Sequence, residues 1–336
     1  MSELRKDPIV GRWVIISEER GKRPSDWASK SNLKPDDKMC PFCPGNENRT
    51  PTEIMTVTSS KSQEQSLSSW DVRVVPNKFP ALSIEGDLER RGYGNYDMMN
   101  GVGAHEVIIE TPDHEKGFAA LEVEEIFEIL NVYRARIMDL KKDKRLTYVL
   151  IFKNHGEAAG ASLEHSHSQL IATPIIPKRV IEELEGSKLF YDMKERCIFC
   201  DLIQQEIQLT SRIVSIDEHY LVVEPFAPRF PYETWILPRE HFSHFENMGE
   251  KSCFVMAQVL RDTLCRINLL LDYPSYNFIL HTSPVQRPNL QEYHWHLEII
   301  PRLTKIAGFE WGSGFYINQV PPERAASELK SVELIN

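Results

Sequence analysis

The chain is short of positive charge. Its 39 Lys and Arg are outnumbered by 49 Asp and Glu, for a formal net charge of −10 at pH 7. That balance argues against a nucleic-acid-binding surface and makes any phosphate recognition local. Long apolar runs are also missing, and nothing approaches the roughly 20 residues needed to span a bilayer. The opening MSELRKDPIVGRWVII has no charged-then-apolar signal layout, so a cytoplasmic location with no membrane partner is expected. Cysteine is scarce: six in 336 residues, four of them in two Cys-x-x-Cys pairs. In a chain of this kind such pairs point to metal rather than disulfides. The remainder, 41% hydrophobic and 26% charged, suits a soluble globular protein of one large domain or two ordinary ones.

Against this background the stretch 154–172, NHGEAAGASLEHSHSQLIA, stands out. A Gly/Ala/Ser-rich loop runs into His165-Ser166-His167-Ser168-Gln169-Leu170-Ile171. As a strand, this segment has a period of two, which puts His165, His167 and Gln169 on one face. Before it come a strand at 11–16, the Cys40–Cys43 knuckle, a polar loop at 58–69, and a strand from Trp70 into a Pro-bounded turn. An irregular stretch at 84–103 and a strand at 105–110 follow. Ile126, Ile129, Leu130, Tyr133, Ile137 and Leu140 then mark an amphipathic helix over about 121–143, and 147–153 reads as a strand. The second half repeats the order. Cys197–Cys200 opens it, and strands follow at 221–226 and 233–238. A helix over about 249–271 carries Met256, Val259, Leu260, Ile267 and Leu271 on one side. A strand at 276–281 leads to His294-Trp295-His296. This is an internal duplication, its halves joined by charged, helix-prone residues 178–196. The expected class is α+β, with units at 1–178 and 179–336, each a mostly antiparallel sheet backed by a helix.

The pattern Asn154, Gly156, Gly160, Ser162, His165, His167, Gln169 resembles the active-site strand of the galactose-1-phosphate uridylyltransferase family, in the histidine-triad superfamily. The family usually has Pro between the histidines. Ser166, followed by Ser168, is more similar to its plant ADP-glucose phosphorylase branch. The resemblance implies tandem histidine-triad-like units sharing one sheet, and a nucleoside diphosphate sugar and a sugar 1-phosphate as substrates. UDP-glucose with galactose 1-phosphate is the first reading, and ADP-glucose phosphorolysis or adenylyl transfer the alternative. A third possibility is a zinc-stabilised nucleotide-binding protein without turnover. The resemblance also implies nucleotide contacts from Asn77, Phe79 and Asn154. Arg20 and Arg23 would reach phosphate, often from a neighbouring subunit of a homodimer. Lys305, Phe309 and Glu310 would approach the sugar phosphate and hexose. A Gln that uridylyltransferases place a few residues later has three competitors here, Ile317, Asn318 and Gln319.

On the same basis Cys40, Cys43, His114 and His165 form a Cys₂His₂ set suited to a closed, structural zinc. Cys197, Cys200, His241 and His294 form a second. An iron set, Glu183, His281, His294 and His296, competes for His294, and zinc is preferred because two thiolates are at hand. His244 is a spare candidate, read as a surface residue. His167 is the nucleophile, attacking a nucleotide's α-phosphorus to give a phosphoramidate. Its other ring nitrogen should donate to a backbone carbonyl. Gln169, the Gly160 and Ala161 N–H groups and the Ser162 hydroxyl are the expected phosphoryl donors. In the second half Glu298 replaces Gln169 beside His296, and a carboxylate there would repel phosphate, so that half should be silent.

Overall fold

Alternating side chains make the histidine segment and its neighbour into strands with two different faces. In the computed structural model, which describes residues 3–16, 40–58 and 70–334, Tyr148–His155 and His167–Thr173 pair antiparallel, with Phe152 opposite Gln169. Leu170 and Ala172 enter the main apolar core on one side. By the period of two, His167, Gln169 and Ile171 face the other. The strand starts at His167, two residues later than expected. Its ladder ends where Ile109 faces His167, and His165 lies beyond it with its ring bound to the Thr111 carbonyl.

The same logic, applied twice, yields one ten-stranded sheet. From the outside inward, the first half contributes Met55–Val57, Val72–Pro76, Ala104–Ile109, His167–Thr173 and Tyr148–His155. From the inside outward, the second contributes Tyr276–His281, His296–Pro301, Thr234–Pro238, Tyr220–Val223 and Ile213–Ile216. Every pairing is antiparallel. The order is a palindrome about the Tyr148–His155/Tyr276–His281 seam, so the duplication read from the sequence is a two-fold repeat in space. At that seam Asn277 Nδ2 donates to Asn154 Oδ1 at 2.8 Å and to the Ala159 carbonyl at 2.9 Å. His155 stacks on Tyr276 with centroids 4.7 Å apart. Gly156 follows at φ +80°, and a Cβ there would lie 2.2 Å from Ser275 Oγ. Only glycine fits both demands.

One face of the sheet carries the helices Val123–Leu140 and Glu250–Leu271, packed on each other. All six expected apolar positions of the first are buried. In the second, Met256, Leu260 and Ile267 are buried, but Val259 and Leu271 only partly so. Cys253, Ala257 and Leu264 complete the inner stripe. Each fully buried Ile or Leu here is worth about 1.5–3 kcal/mol. The opposite face carries the cysteine pairs. Cys40, Phe42 and Trp70 pack on Val75, Val107 and Ile109, while Cys197 and Phe199 pack on Leu221, Val223 and Leu237. The joining segment is the helix Lys178–Lys194. Within the stretch expected to be irregular, Arg91–Tyr93 and Tyr96–Met98 form a hairpin. The first strand, Trp13–Ile16, sits in a small separate sheet between Glu3–Lys6 and Tyr316–Asn318.

Candidate functional site

Each Cys-x-x-Cys pair meets two histidines, and the four ligand atoms of each group lie within 4.8 Å of one another. In the first group His114 Nδ1 is 3.3 Å from Cys43 Sγ, and His165 Nδ1 is 3.6 and 3.7 Å from Cys43 and Cys40 Sγ. In the second, Cys200 Sγ is 3.4 Å from His241 Nδ1 and 3.7 Å from His294 Nδ1. A tetrahedron with ~2.3 Å sulfur and ~2.0 Å nitrogen bonds has S···N edges of about 3.5 Å. Outer contacts fix the ring orientation. His165 Nε2 donates to Thr111 O at 2.7 Å, His294 Nε2 to Pro238 O at 2.8 Å, and His241 Nε2 to Leu290 O at 3.0 Å. With Nε2 protonated, each Nδ1 turns a lone pair toward the thiols. Both groups can therefore hold a metal ion. His244 belongs to neither. It is buried beside Ser243, not at the surface as expected, with Nδ1 2.9 Å from Ser243 Oγ.

His167 lies next to the first group, only 6% exposed. Its Nδ1 is 2.8 Å from the His165 carbonyl, so Nδ1 carries the proton and donates. Nε2 is left with no hydrogen-bond partner among the described residues. Burial, and then the nearby Lys153 ammonium, push the imidazole below its usual value, which keeps the ring neutral. Phe42 meets His165 and His167 edge-on, with centroids 6.1 and 5.3 Å away. Gln169 is oriented by a residue the sequence reading missed, His105. The Ala81 N–H donates to His105 Nδ1 at 3.1 Å, so Nε2 bears the proton and donates to Gln169 Oε1 at 2.9 Å. The Gln169 NH₂ group then points away from His105. Asn77 Nδ2 touches the same ring nitrogen at 3.1 Å, a donor against a donor, while Asn77 Oδ1 accepts from the Phe79 N–H. Phe79 is 84% exposed. His105 was visible only as one residue of a strand, and its partner 64 positions away had no local signal.

The loop departs from expectation. The Gly160 N–H donates to Glu157 O at 2.9 Å and the Ala161 N–H to Gly156 O at 3.2 Å. Both groups close the loop on itself and do not project as free phosphoryl donors. Ser162 is exposed on that loop. Asn154 gives its Oδ1 to the seam between the halves, so only its amide nitrogen faces the Gly160 loop. Lys305 and Phe309 are exposed on or beside the short helix Gly308–Ser313, where Glu310 accepts from the Ala307 N–H at its start. Asn318 is buried, its amide holding the Pro228 carbonyl and the Val320 N–H. Arg20 and Arg23, like most of the 58–69 loop, lie outside the described residues.

In the second half the corresponding pocket is filled. His296 is stacked on His281 at 4.5 Å and flanked by Phe199 and Trp235, each 5.2 Å away. Glu298 accepts from Arg229 and from Trp235 Nε1. The two rival ligand sets of the sequence reading do not compete. His294 turns to the thiols, and Glu183, His281 and His296 form a separate group. His281 Nδ1 is 3.2 Å from Glu183 and Nε2 3.5 Å from Glu298. Burial would lower its pKa, but the two carboxylates outweigh that and raise it to about 10. With His294 turned to the thiols, the four-residue iron set is not assembled, while Glu183, His281 and His296 by themselves lie close enough to hold an ion.

Two α+β units, joined in one sheet and each pairing a His-x-His strand with a Cys₂His₂ group, define the class. Residues 1–177 match the family model of the galactose-1-phosphate uridyl transferase N-terminal domain, and residues 183–317 that of the C-terminal domain. The chain belongs to the galactose-1-phosphate uridyl transferase family. It is 36% identical to an ADP-glucose phosphorylase of Arabidopsis thaliana, over 99% of this chain and 93% of that protein. It is 28% identical to the galactose-1-phosphate uridylyltransferase of Thermotoga maritima, over 99% of each. Among solved structures, the Arabidopsis ADP-glucose phosphorylase with bound ADP-glucose superposes with a TM-score of 0.85 at 34% identity, covering 99% of this chain and 100% of that one. A uridylyltransferase superposes at 0.76 and 26% identity, with 98% of each chain covered. No helix among the described residues is long and apolar enough to cross a membrane.

The His281 cluster has a measurable consequence. His281→Gln leaves Glu183 without its cation, while Glu298 keeps Arg229, and should cost up to about 3 kcal/mol near neutral pH. A raised folded-state pKa gives its full stabilisation below the unfolded value of about 6.5 and loses it as pH rises through about 10. Urea denaturation of wild type and variant should therefore show a stability gap that closes across that window. A gap that stays constant would mean that His281 is neutral in the folded protein.

Proposed function

We propose that the chain is a nucleotidyltransferase of the galactose-1-phosphate uridylyltransferase type, passing a nucleotidyl group from a nucleoside diphosphate hexose to a phosphate acceptor by way of His167. The observation that carries this is the orientation of the His167 ring, with Nδ1 held by the His165 carbonyl at 2.8 Å and Nε2 without a hydrogen-bond partner among the described residues. Nε2 attacks the α-phosphorus, an N–P bond forms, and the bridging P–O bond breaks so that hexose 1-phosphate leaves with the electron pair. The acceptor's phosphate oxygen then attacks the same phosphorus and the N–P bond breaks, restoring neutral His167. Gln169 NH₂ is directed toward the phosphoryl oxygens by His105, where a donor is worth most as charge builds. The Ser162 hydroxyl is the second donor in this reading.

UDP-glucose with galactose 1-phosphate is the first substrate pair, in line with the family. Phosphorolysis of ADP-glucose is favoured by three specific observations. Ser166 and Ser168 flank the nucleophile, both Cys₂His₂ groups are assembled, and Asn318, one candidate for the missing Gln, is tied into the fold by both ends of its amide. We read residues 1–178 as the catalytic unit and 179–336 as the silent one, because His296 is packed between aromatic rings and Glu298 stands where Gln169 does. Zinc is the metal we assign to both Cys₂His₂ groups. Bound there, it would clamp His165 and thereby the strand of His167, adding stability without an open coordination position. A homodimer in the cytoplasm, with Arg20 or Arg23 reaching the neighbouring site, completes the reading.

Three measurements test it. Incubation with labelled UDP-glucose or ADP-glucose should give an acid-labile adduct on His167, and His167→Gly should lower the full reaction by at least about a thousandfold with metal content unchanged. Label from UDP-glucose discharged by galactose 1-phosphate supports the first pair, and label from ADP-glucose discharged by phosphate supports the second. No adduct, or one mapping outside 165–169, overturns the mechanism. Metal analysis should find about two zinc ions per chain from the two closed sites, and one ion or iron would contradict the ligand assignment. Full activity of a monomer at high dilution would remove the dimer from the proposal.

A further inference from the structure

Beneath the nucleophile lies a fully buried polar network that the reaction as described does not use. Lys153 donates to Glu110 Oε2 at 2.5 Å, to Ser166 Oγ at 3.1 Å and to the His167 carbonyl at 2.9 Å, so all three ammonium donors have acceptors. Glu110 Oε2 also accepts from Ser166 Oγ at 2.7 Å. Its Oε1 accepts from Ser168 Oγ and, at 3.1 Å, from Tyr133 OH. The Glu110 N–H donates to the Ser166 carbonyl at 3.1 Å. Residues 166, 167 and 168 are thus each gripped from the helix-bearing face of the sheet, while the His167 ring projects from the other. Buried ion pairs are poor sources of stability, and apolar side chains often replace them at no loss.

The second half supplies the comparison. At the positions equivalent to Ser166 and Ser168 it has Trp295 and Leu297, both in the apolar core. There the bond from His296 Nδ1 to the His294 carbonyl is 3.3 Å, against 2.8 Å for His167. The same backbone motif holds its imidazole more loosely where the network is absent.

We infer that Lys153 and Glu110, acting through Ser166 and Ser168, are positioning residues that hold His167 in its attacking orientation. The pair touches neither phosphorus nor nucleotide. It fixes the peptide frame from which the ring reaches the His165 carbonyl, so that Nε2 meets the substrate without reorganising. This inference rests on His167 as the nucleophile.

The test is the double variant Glu110→Leu/Lys153→Met, which removes both charges together and avoids leaving one unpaired. Adduct formation on His167 should slow by about a hundredfold, as expected for misplacement of a reacting group. Affinity for the nucleotide sugar should change by less than about threefold, since ground-state contacts are untouched. Nitrogen NMR of histidine-labelled resting protein should show His167 losing its single Nδ1–H form in the variant. A folded variant that keeps that form and labels at the wild-type rate overturns the inference, whatever its melting temperature. If the double variant does not fold, Ser166→Ala/Ser168→Ala cuts the same grip and leaves the ion pair in place, and it should slow labelling by about tenfold. Wild-type labelling there would be equally fatal. If the wild-type protein takes no label from any nucleotide sugar, the proposed activity falls, and the NMR comparison alone decides the positioning role.

Discussion

The orientation of the His167 ring depends on one peptide carbonyl, that of His165. The residue faces two ways. Its ring turns Nδ1 to the Cys40 and Cys43 thiols and Nε2 to Thr111, while its backbone oxygen takes the proton on His167 Nδ1. Anything that tightens the Cys₂His₂ group therefore tightens the ring two residues on, by a route only a few covalent bonds long. Under the proposed function, a closed metal site would thereby take part in group transfer without an open coordination position.

The two halves show two different surroundings built on the same plan. Both have the cysteine pair, the outer carbonyl partners and the His-x-His spacing. They differ in what surrounds the second histidine. His167 has Gln169 turned by His105 on one face and a polar grip on the other. His296 has stacked rings on its own face and Trp295 and Leu297 behind it. The second half has apolar packing where the first has a polar grip, the direction that buried charge energetics favour.

Much of this was legible in the sequence because it was written in local patterns. The apolar spacing of Ile126 to Leu140, the Cys-x-x-Cys pairs and the paired His-x-His strands each carry a signal within a few residues. The fold class and the duplication follow from them, with the family resemblance supplying the shared sheet and the full Cys₂His₂ sets. What was not legible depends on partners far apart in the chain. Nothing near His105 announces Gln169, and nothing near Lys153 announces Glu110, because the first pair meets only when two distant strands have docked in register and the second only when a third has joined them. The Gly160 and Ala161 amides were misread for the opposite reason. A glycine-rich loop suggests free N–H groups, but here the loop is short enough to satisfy them itself.

The seam at Asn154 and Asn277 has a consequence for how the chain comes off the ribosome. Tyr148–His155 lies in the middle of the finished sheet, but its outer neighbour is more than 120 residues further along the chain. Until Tyr276–His281 has been made, the first unit presents a long, largely apolar strand with one side unpaired, an invitation to pair with another chain. Domain-by-domain folding during synthesis is the usual protection against such encounters. In this protein it would expose the edge rather than bury it, so the nascent first half is where the molecule is most vulnerable to misassembly.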